Sequence, residues 1–155
     1  MFIKPASVND HVYESLDFAN AVIIGLMIGI YEVMGKGGTQ AVVNLAGQAV
    51  GREILRFAAD KGTPIDSLES FKEFVVEHNL VDGLDFYQSD DSIYVRLNAC
   101  KTCPKKVGHY EFDGTACPWG GVMSGILNQI LPEQYSLSSH LAPGKECVIE
   151  LKKNK

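Results

Sequence analysis

From about Val12 to Met34 apolar positions run almost without interruption, and Phe18, Val22, Ile23, Leu26, Met27 and Ile30 spread nearly all round a helical projection. A helix apolar on every side is covered on two faces or sits in a subunit contact. Gly25 and Gly29 stand one turn apart within it. Each glycine costs about 1 kcal/mol against alanine in a helix interior, so the pair points to a packing reason, the close approach of another backbone. Gly35-Lys36-Gly37-Gly38 ends this helix and Thr39 caps a second one to about Asp60, which again carries glycines four apart at Gly47 and Gly51. The expected product is an antiparallel helix pair. The densest apolar stretch, Ala21 to Tyr31, stops at Glu32 after about half of the roughly 20 residues a bilayer requires. It reads as a core helix, not a membrane span.

Lys61-Gly62-Thr63-Pro64 breaks the pattern, and Asp66 followed by Glu69 makes a capping-box-like start for a third helix reaching about His78. Its buried face is Leu68, Phe71, Phe74 and Val75. Beyond Asp82-Gly83 the period changes to two. Ile93, Val95, Leu97 and Ala99 alternate with Tyr94, Arg96 and Asn98, a half-buried strand hairpinned to Leu84–Tyr87 through Ser89-Asp90-Asp91-Ser92. Tyr110–Phe112 is a short third strand. Thr115 then caps a helix to about Leu131 with Trp119, Val122, Met123, Ile126, Leu127 and Ile130 on its apolar face. A last hairpin joins Gln134–Leu141 to Glu146–Leu151 across Ala142-Pro143-Gly144-Lys145, where Pro then Gly suit a type II turn. The tail Lys152–Lys155 is expected to be disordered. Together these elements predict an α/β chain of the α+β kind, in which long N-terminal helices form a layer on a small antiparallel sheet, with a C-terminal metal-bearing lobe.

The 155 residues fit one domain, residues 1–155, large enough to bury a core without disulfides. A net charge of −5 argues against a general nucleic-acid surface. The N-terminal decapeptide lacks an apolar h-region and a small-residue cleavage site, which implies a cytoplasmic protein with reduced thiols.

Four cysteines lie in the C-terminal half: Cys100-x-x-Cys103, then Cys117 and Cys147. A two-residue gap lets two thiolates grip one ion from a single turn, and Cys117 and Cys147 complete a tetrahedral set, with zinc the expected metal. Cys117 in the first turn of its helix meets the positive end of the dipole, which favours a thiolate. Counting back from the Pro-Gly turn places His140 across the hairpin from Cys147, as a supporting donor or a substitute ligand. The alternatives are an iron-sulfur cluster, although the spacing does not follow ferredoxin runs, a redox pair at Cys100 and Cys103, or cysteines serving only as small buried apolar residues. Four thiolates close the shell, so such a zinc is structural. Arg52 and Arg56, one turn apart, are a possible anion site or ordinary exposed charge, and His11, His78 and His109 read as surface or capping residues.

The segment Cys117-Pro-Trp-Gly-Gly-Val-Met-Ser-Gly125, the closing Gly144-Lys-Glu-Cys147-Val-Ile-Glu-Leu, and Gly47-x-x-x-Gly51-Arg52 resemble the 4-vinyl reductase domain family, also called hydrocarbon-binding proteins. The resemblance implies a helix-rich α/β fold with a buried apolar cavity, shared with nitric-oxide sensors and Golgi transport particle subunits, and a homodimer through the long helices. In related sensor domains zinc is held by three cysteines and a glutamate. Cys117 and Cys147 match the first and last cysteine, the middle one falls near Ser139 or His140, and the glutamate near Ser136 or Leu137. Cys100 and Cys103 would compensate for the two lost ligands. No nicotinamide or flavin fingerprint accompanies the resemblance, so reductase activity does not carry over.

The functional expectation is a non-catalytic domain that binds an apolar, hydrocarbon-like small molecule between the helical layer and the sheet. Trp119 is either core or a link between pocket and metal. The alternative is a reductase component using its cysteines as a redox pair or cluster ligands.

Overall fold

A computed structural model describes the backbone of residues 10–98, 106–107, 110–111, 117–141 and 146–155, and the side-chain surroundings of residues 21–23, 25–98, 117–138 and 147–155. In chain order the elements are α1 (Asp10–Asp60), α2 (Leu68–Glu77), β1 (Gly83–Gln88), β2 (Ser92–Asn98), β3 (Lys106–Val107), β4 (Tyr110–Glu111), α3 (Trp119–Ile130), β5 (Tyr135–Leu141) and β6 (Glu146–Lys153). The α+β class expected from the periodicities is the class observed. The chain forms two compact units, Met1–Val42 with Cys103–Ala116, and Val43–Thr102 with Cys117–Lys155.

The two helices expected from the sequence follow one another within α1 and meet at a kink. Only Gly35 departs from helical geometry, at φ 67° and ψ −175°, a left-handed φ that glycine adopts without a Cβ clash. Lys36, Gly37 and Gly38 are already helical, so no loop of the two to five residues that joins antiparallel helices intervenes. Thr39 is a buried helical residue, not a cap, and its hydroxyl donates to the Gly35 carbonyl at 2.7 Å. The expected core helix also differs. Val22, Ile23, Leu26, Val33 and Met34 are 44–86% exposed. By length and composition the stretch Ala21–Asp60 is long and apolar enough to cross a membrane, and none of its most apolar window is buried within the chain. The strand expected at Tyr110 is β4, which pairs antiparallel with β3 in the register Val107↔Tyr110.

In the second unit the four-stranded antiparallel sheet has the order β1-β2-β6-β5. The C-terminal strand therefore lies inside the sheet, paired to β2 through Val95↔Ile149 and to β5 through Leu137↔Leu151. Ile93, Val95 and Leu97 are buried on the inner face as the alternation requires. They meet Phe71, Phe74 and Val75 of α2, and Trp119, Met123, Ile126 and Leu127 of α3, in one core. Trp119 is thus a core residue. The α2 cap is Ser67, one position beyond the expected Asp66, because its hydroxyl and that of Ser70 close a reciprocal capping box. The tail expected to be disordered is ordered instead, since β6 continues to Lys153, and the Asn154 N–H donates to the Gln134 carbonyl at 2.8 Å.

Glycines decide how α3 meets the second half of α1. A Cβ at Gly121 would strike the Asn44 carbonyl group, and one at Gly125 would lie 2.7 Å from the Gln48 carbonyl oxygen. From the other side, a Cβ at Gly47 would lie 2.9 Å from the Val122 nitrogen and 3.0 Å from Gly121 Cα, and one at Gly51 would lie 2.6 Å from the Val122 oxygen. The two Gly-x-x-x-Gly pairs thus face each other with backbone against backbone. All of α3 from Trp119 to Leu127 is buried as a result. At its far end Asn128 holds β5 in both directions, accepting from the Tyr135 N–H at 2.7 Å and donating to the Tyr135 carbonyl at 3.0 Å.

Candidate functional site

Cys117 and Cys147 are half-buried thiols packed against the core of the second unit. Cys147 stands near the start of β6 opposite Leu97. Cys117 lies outside α3, not in its first turn. The N-cap is Pro118, whose carbonyl accepts from Val122 N–H at 2.9 Å, and no side chain caps the helix. Cys100 and Cys103, together with the Pro143-Gly144 turn and Thr115, fall outside the described residues. Among the described residues no three His, Cys, Asp or Glu side chains come together as a metal-binding group. The side chain of His140, expected across from Cys147, lies outside the described residues, and the backbone register differs from the one expected. The β5–β6 register shifts between Leu137 and Leu141, and Leu141 faces Ile149, two residues past Cys147.

A different feature of the second unit carries more chemistry. Val50, Ile54 and Phe57 recur at helical spacing along α1, and Phe74 and His78 stand one turn apart at the end of α2. Together with Leu80 they line an apolar groove of about 540 Å³. The His78 ring stacks on Phe74 with centroids 4.1 Å apart, and the Phe57 ring stands edge-on to both, at 6.3 Å from Phe74 and 6.1 Å from His78. His78 is also the C-cap of α2, and its Nδ1 lies 2.9 Å from the Phe74 carbonyl oxygen. A carbonyl oxygen only accepts, so in the neutral ring Nδ1 carries the hydrogen and Nε2 is left with a lone pair. The capping role expected of His78 is therefore observed, and it fixes which ring nitrogen can accept a further hydrogen bond.

The rim of this groove is charged but internally paired. Arg56 donates to Glu53 at 2.6 and 3.0 Å and to Asp60 at 3.2 Å. The hydrogen bond from Arg56, and then its charge, hold the Glu53 carboxyl below its ordinary range, while the hydrogen bond to Glu53 raises Arg56. Both side chains are 66% exposed, where such pairs contribute little to stability. Arg56 is thus already engaged by two carboxylates, which speaks against the anion site considered for Arg52 and Arg56. Lys61 Nζ lies 5.6 Å from the centre of the Phe57 ring. Of the charged side chains that line the groove, Glu53 and Arg56 pair with each other. The alignment of Val50, Ile54 and Phe57 was present in the sequence as a helical stripe. Its meeting with Phe74 and His78 required the fold.

Elsewhere on the sheet, Glu150 accepts hydrogen bonds from Ser92 (3.1 Å) and Tyr94 (3.2 Å). Burial pushes its carboxyl upward, but hydrogen bonds from Ser138, Ser92 and Tyr94 and the charge of Lys152 outweigh burial and leave it below its ordinary value.

Comparison with known proteins corrects the family expected from the sequence. Residues 38–153 match the MJ0207 family. The uncharacterized protein MJ0207 of Methanocaldococcus jannaschii is 33% identical over 134 residues, covering 86% of this chain and 87% of that protein. The uncharacterized protein MJ1342 of the same organism is 29% identical over 66 residues, covering 43% of this chain and 56% of that protein. The resemblance to 4-vinyl reductase domains is not upheld, and the physical reason lies in the residues that carried it. Gly47, Gly51, Gly121 and Gly125 are held to glycine by backbone contact between two helices, a demand that any fold with so close a crossing makes. On the match over residues 38–153 and the similarity to the archaeal protein over 86% of the chain, this chain belongs to the MJ0207 family.

Proposed function

We propose that this protein is a non-catalytic binding domain for an apolar small molecule, held in the groove between the second half of α1 and α2. The observation that carries this reading is the groove itself. Its volume of about 540 Å³ falls within the range of roughly 300–1,000 Å³ typical of ligand sites, which are mostly apolar with a few placed polar groups. Here the walls are Val50, Ile54, Phe57, Phe74 and Leu80, and the polar side chains of the lining are His78 and the paired Glu53 and Arg56. A ligand with an apolar or aromatic body and one N–H or O–H donor matches that lining. The test is titration with N-phenyl-1-naphthylamine, an uncharged apolar fluorophore carrying one N–H. Saturable binding at one probe per chain is expected. Val50 is 49% exposed, so Val50→Trp fills the groove without entering the core and is expected to weaken binding by about tenfold or more, the loss of roughly 1.4 kcal/mol. Unsaturable fluorescence, or equal affinity in the variant, would sink this reading.

A thiolate zinc centre is a second reading, favoured by the placement of Cys117 and Cys147 as half-buried thiols on one core, with Cys100 and Cys103 as the further ligands expected from the sequence. Protein purified without added metal is expected to contain one zinc per chain and no visible absorption, and Cys147→Ser to lose the metal. Iron with visible absorption would instead support the reductase component, and a metal-free protein would return the cysteines to packing.

A further inference from the structure

Of the residues lining the groove between α1 and α2, His78 is the one whose type changes charge near neutral pH, since histidine gains or loses its proton between about pH 5 and 8. Its ring is exposed to solvent. It stacks on Phe74 with centroids 4.1 Å apart and stands at 83° to Phe57. Nδ1 is engaged with the Phe74 carbonyl at 2.9 Å, so an added proton goes to Nε2 and leaves that bond in place. Both surroundings suit the cation. An aromatic face attracts a positive charge, and the dipole favours one at a helix C-terminus. Acidification therefore changes the charge of the groove without dismantling its wall.

We propose that His78 makes this groove a pH-dependent selector, which takes an uncharged apolar ligand when the ring is neutral and an apolar anion when the ring is protonated; this rests on the groove being a ligand site. A seated apolar body strips water from the ring. Neutral imidazole bears that at small cost, whereas imidazolium loses its hydration and gains no partner from a hydrocarbon. By reciprocity, protonation weakens the uncharged ligand by the same factor by which that ligand opposes protonation. A ligand of the same body carrying an acid group pairs with the imidazolium instead, so its affinity rises as the ring becomes charged.

The other charged groups around the ring hold a fixed balance. Glu53 and Arg56 of α1 line the same groove and pair at 2.6 Å. Their hydrogen bond lowers Glu53 and raises Arg56, so both keep their charges at neutral pH. Asp60 accepts from Arg56 at 3.2 Å, Lys61 Nζ lies 5.6 Å from the centre of the Phe57 ring, and Glu77 precedes His78 in the chain. Carboxylates and amines ordinarily titrate outside the histidine range, which leaves His78 as the group that changes.

Two fluorophores with one arylnaphthylamine body test this: uncharged N-phenyl-1-naphthylamine, and 8-anilino-1-naphthalenesulfonate, an anion throughout. Each is titrated into the full chain at about pH 8 and about pH 6, on either side of the ordinary histidine transition. The dissociation constant of the uncharged probe is expected to rise at least about threefold at the lower pH, and that of the anion to fall by a like factor. In His78→Phe both dependences are expected to vanish with unchanged far-ultraviolet circular dichroism. That variant keeps a ring on Phe74, and the backbone N–H of residue 78 still donates to the Phe74 carbonyl, at 3.0 Å in the parent. His78→Gln, which keeps a hydrogen-bond donor but cannot become charged, is expected to do the same. Saturable binding that is equal at the two pH values, two probes that shift in the same direction, or a pH dependence that survives in both variants would overturn the inference and leave the ligand site standing. No saturable binding of either probe at either pH would overturn both.

Discussion

Gly121→Ala is expected to lower the free energy of unfolding by about 2–3 kcal/mol, and Gly25→Ala to leave it unchanged or raise it by up to about 1 kcal/mol. The same substitution in two helices thus has opposite signs, and the reason is what the added methyl meets. At Gly121 it meets the Asn44 carbonyl group and, at 3.0 Å, the Asn44 Cα, all backbone atoms of α1. Neither helix can yield by a rotamer change, so the overpacking is relieved only by moving α3 away from α1. That movement opens the contacts of Val122 and Ile126, which are buried to 4% and 0% exposure. The helix propensity gained from alanine, about 1 kcal/mol, offsets part of the strain. At Gly25 a Cβ meets nothing within 4 Å among the described residues, and the propensity gain remains. Urea denaturation of both variants measures the contrast. Equal effects at the two sites would mean that the close crossing of α1 and α3 is not a feature of the folded protein. Gly47→Ala, which presents its methyl to the Pro118 carbonyl and to the Val122 nitrogen at 2.9 Å, is expected to behave like Gly121→Ala.

Leu151→Ala is expected to cost about 3 kcal/mol, within the roughly 2–5 kcal/mol seen for burial-to-cavity changes of leucine. Val148→Ala, three residues earlier on the same strand, is expected to stay within about 0.5 kcal/mol of the parent. Strand β6 is internal, so Leu151 has a cross-strand neighbour on each side, Ile93 in β2 and Leu137 in β5. It is fully buried, as is Ile149. Truncation leaves a void between two strands and the helices above them, and none of these can close over it alone. Val148 points to the other face, 39% exposed opposite Arg96. Chemical denaturation of the pair separates inner from outer face. A loss at Val148 as large as that at Leu151 would refute the register.

Several elements were legible because their signal is local. The alternation of Ile93, Val95 and Leu97 with Tyr94 and Arg96 marks β2 and its buried face. Spacing of Phe71, Phe74 and Val75 marks the inner face of α2, and the apolar stripe from Trp119 to Leu127 marks α3. The antiparallel pairing of β5 with β6 followed from two strand-like segments close in sequence. The candidate site was less legible. The cysteines drew attention because their spacing is a pattern in sequence, but the groove beneath Phe57, Phe74 and His78 joins residues about 20 positions apart, none of which is unusual for its own helix. The three glycine pairs were visible as a spacing. Taking two of them as the mark of a family was the error, since the spacing is imposed by contact between backbones.

By itself, then, the sequence determined α2, α3 and β2 with their buried faces, and the α+β class, because side-chain periodicity is set by 3.6 residues per helical turn and by two per strand repeat. It also determined that glycine recurs where a backbone must come close. The tertiary structure alone decided which glycine pair mates with which, that the two N-terminal helices meet at a kink at Gly35 with no loop between them, and that β6 enters the sheet between β2 and β5. Those outcomes depend on contacts between residues far apart in the chain. Their gain comes from burying Leu151, Ile126 and Met123 against partners that no local pattern names.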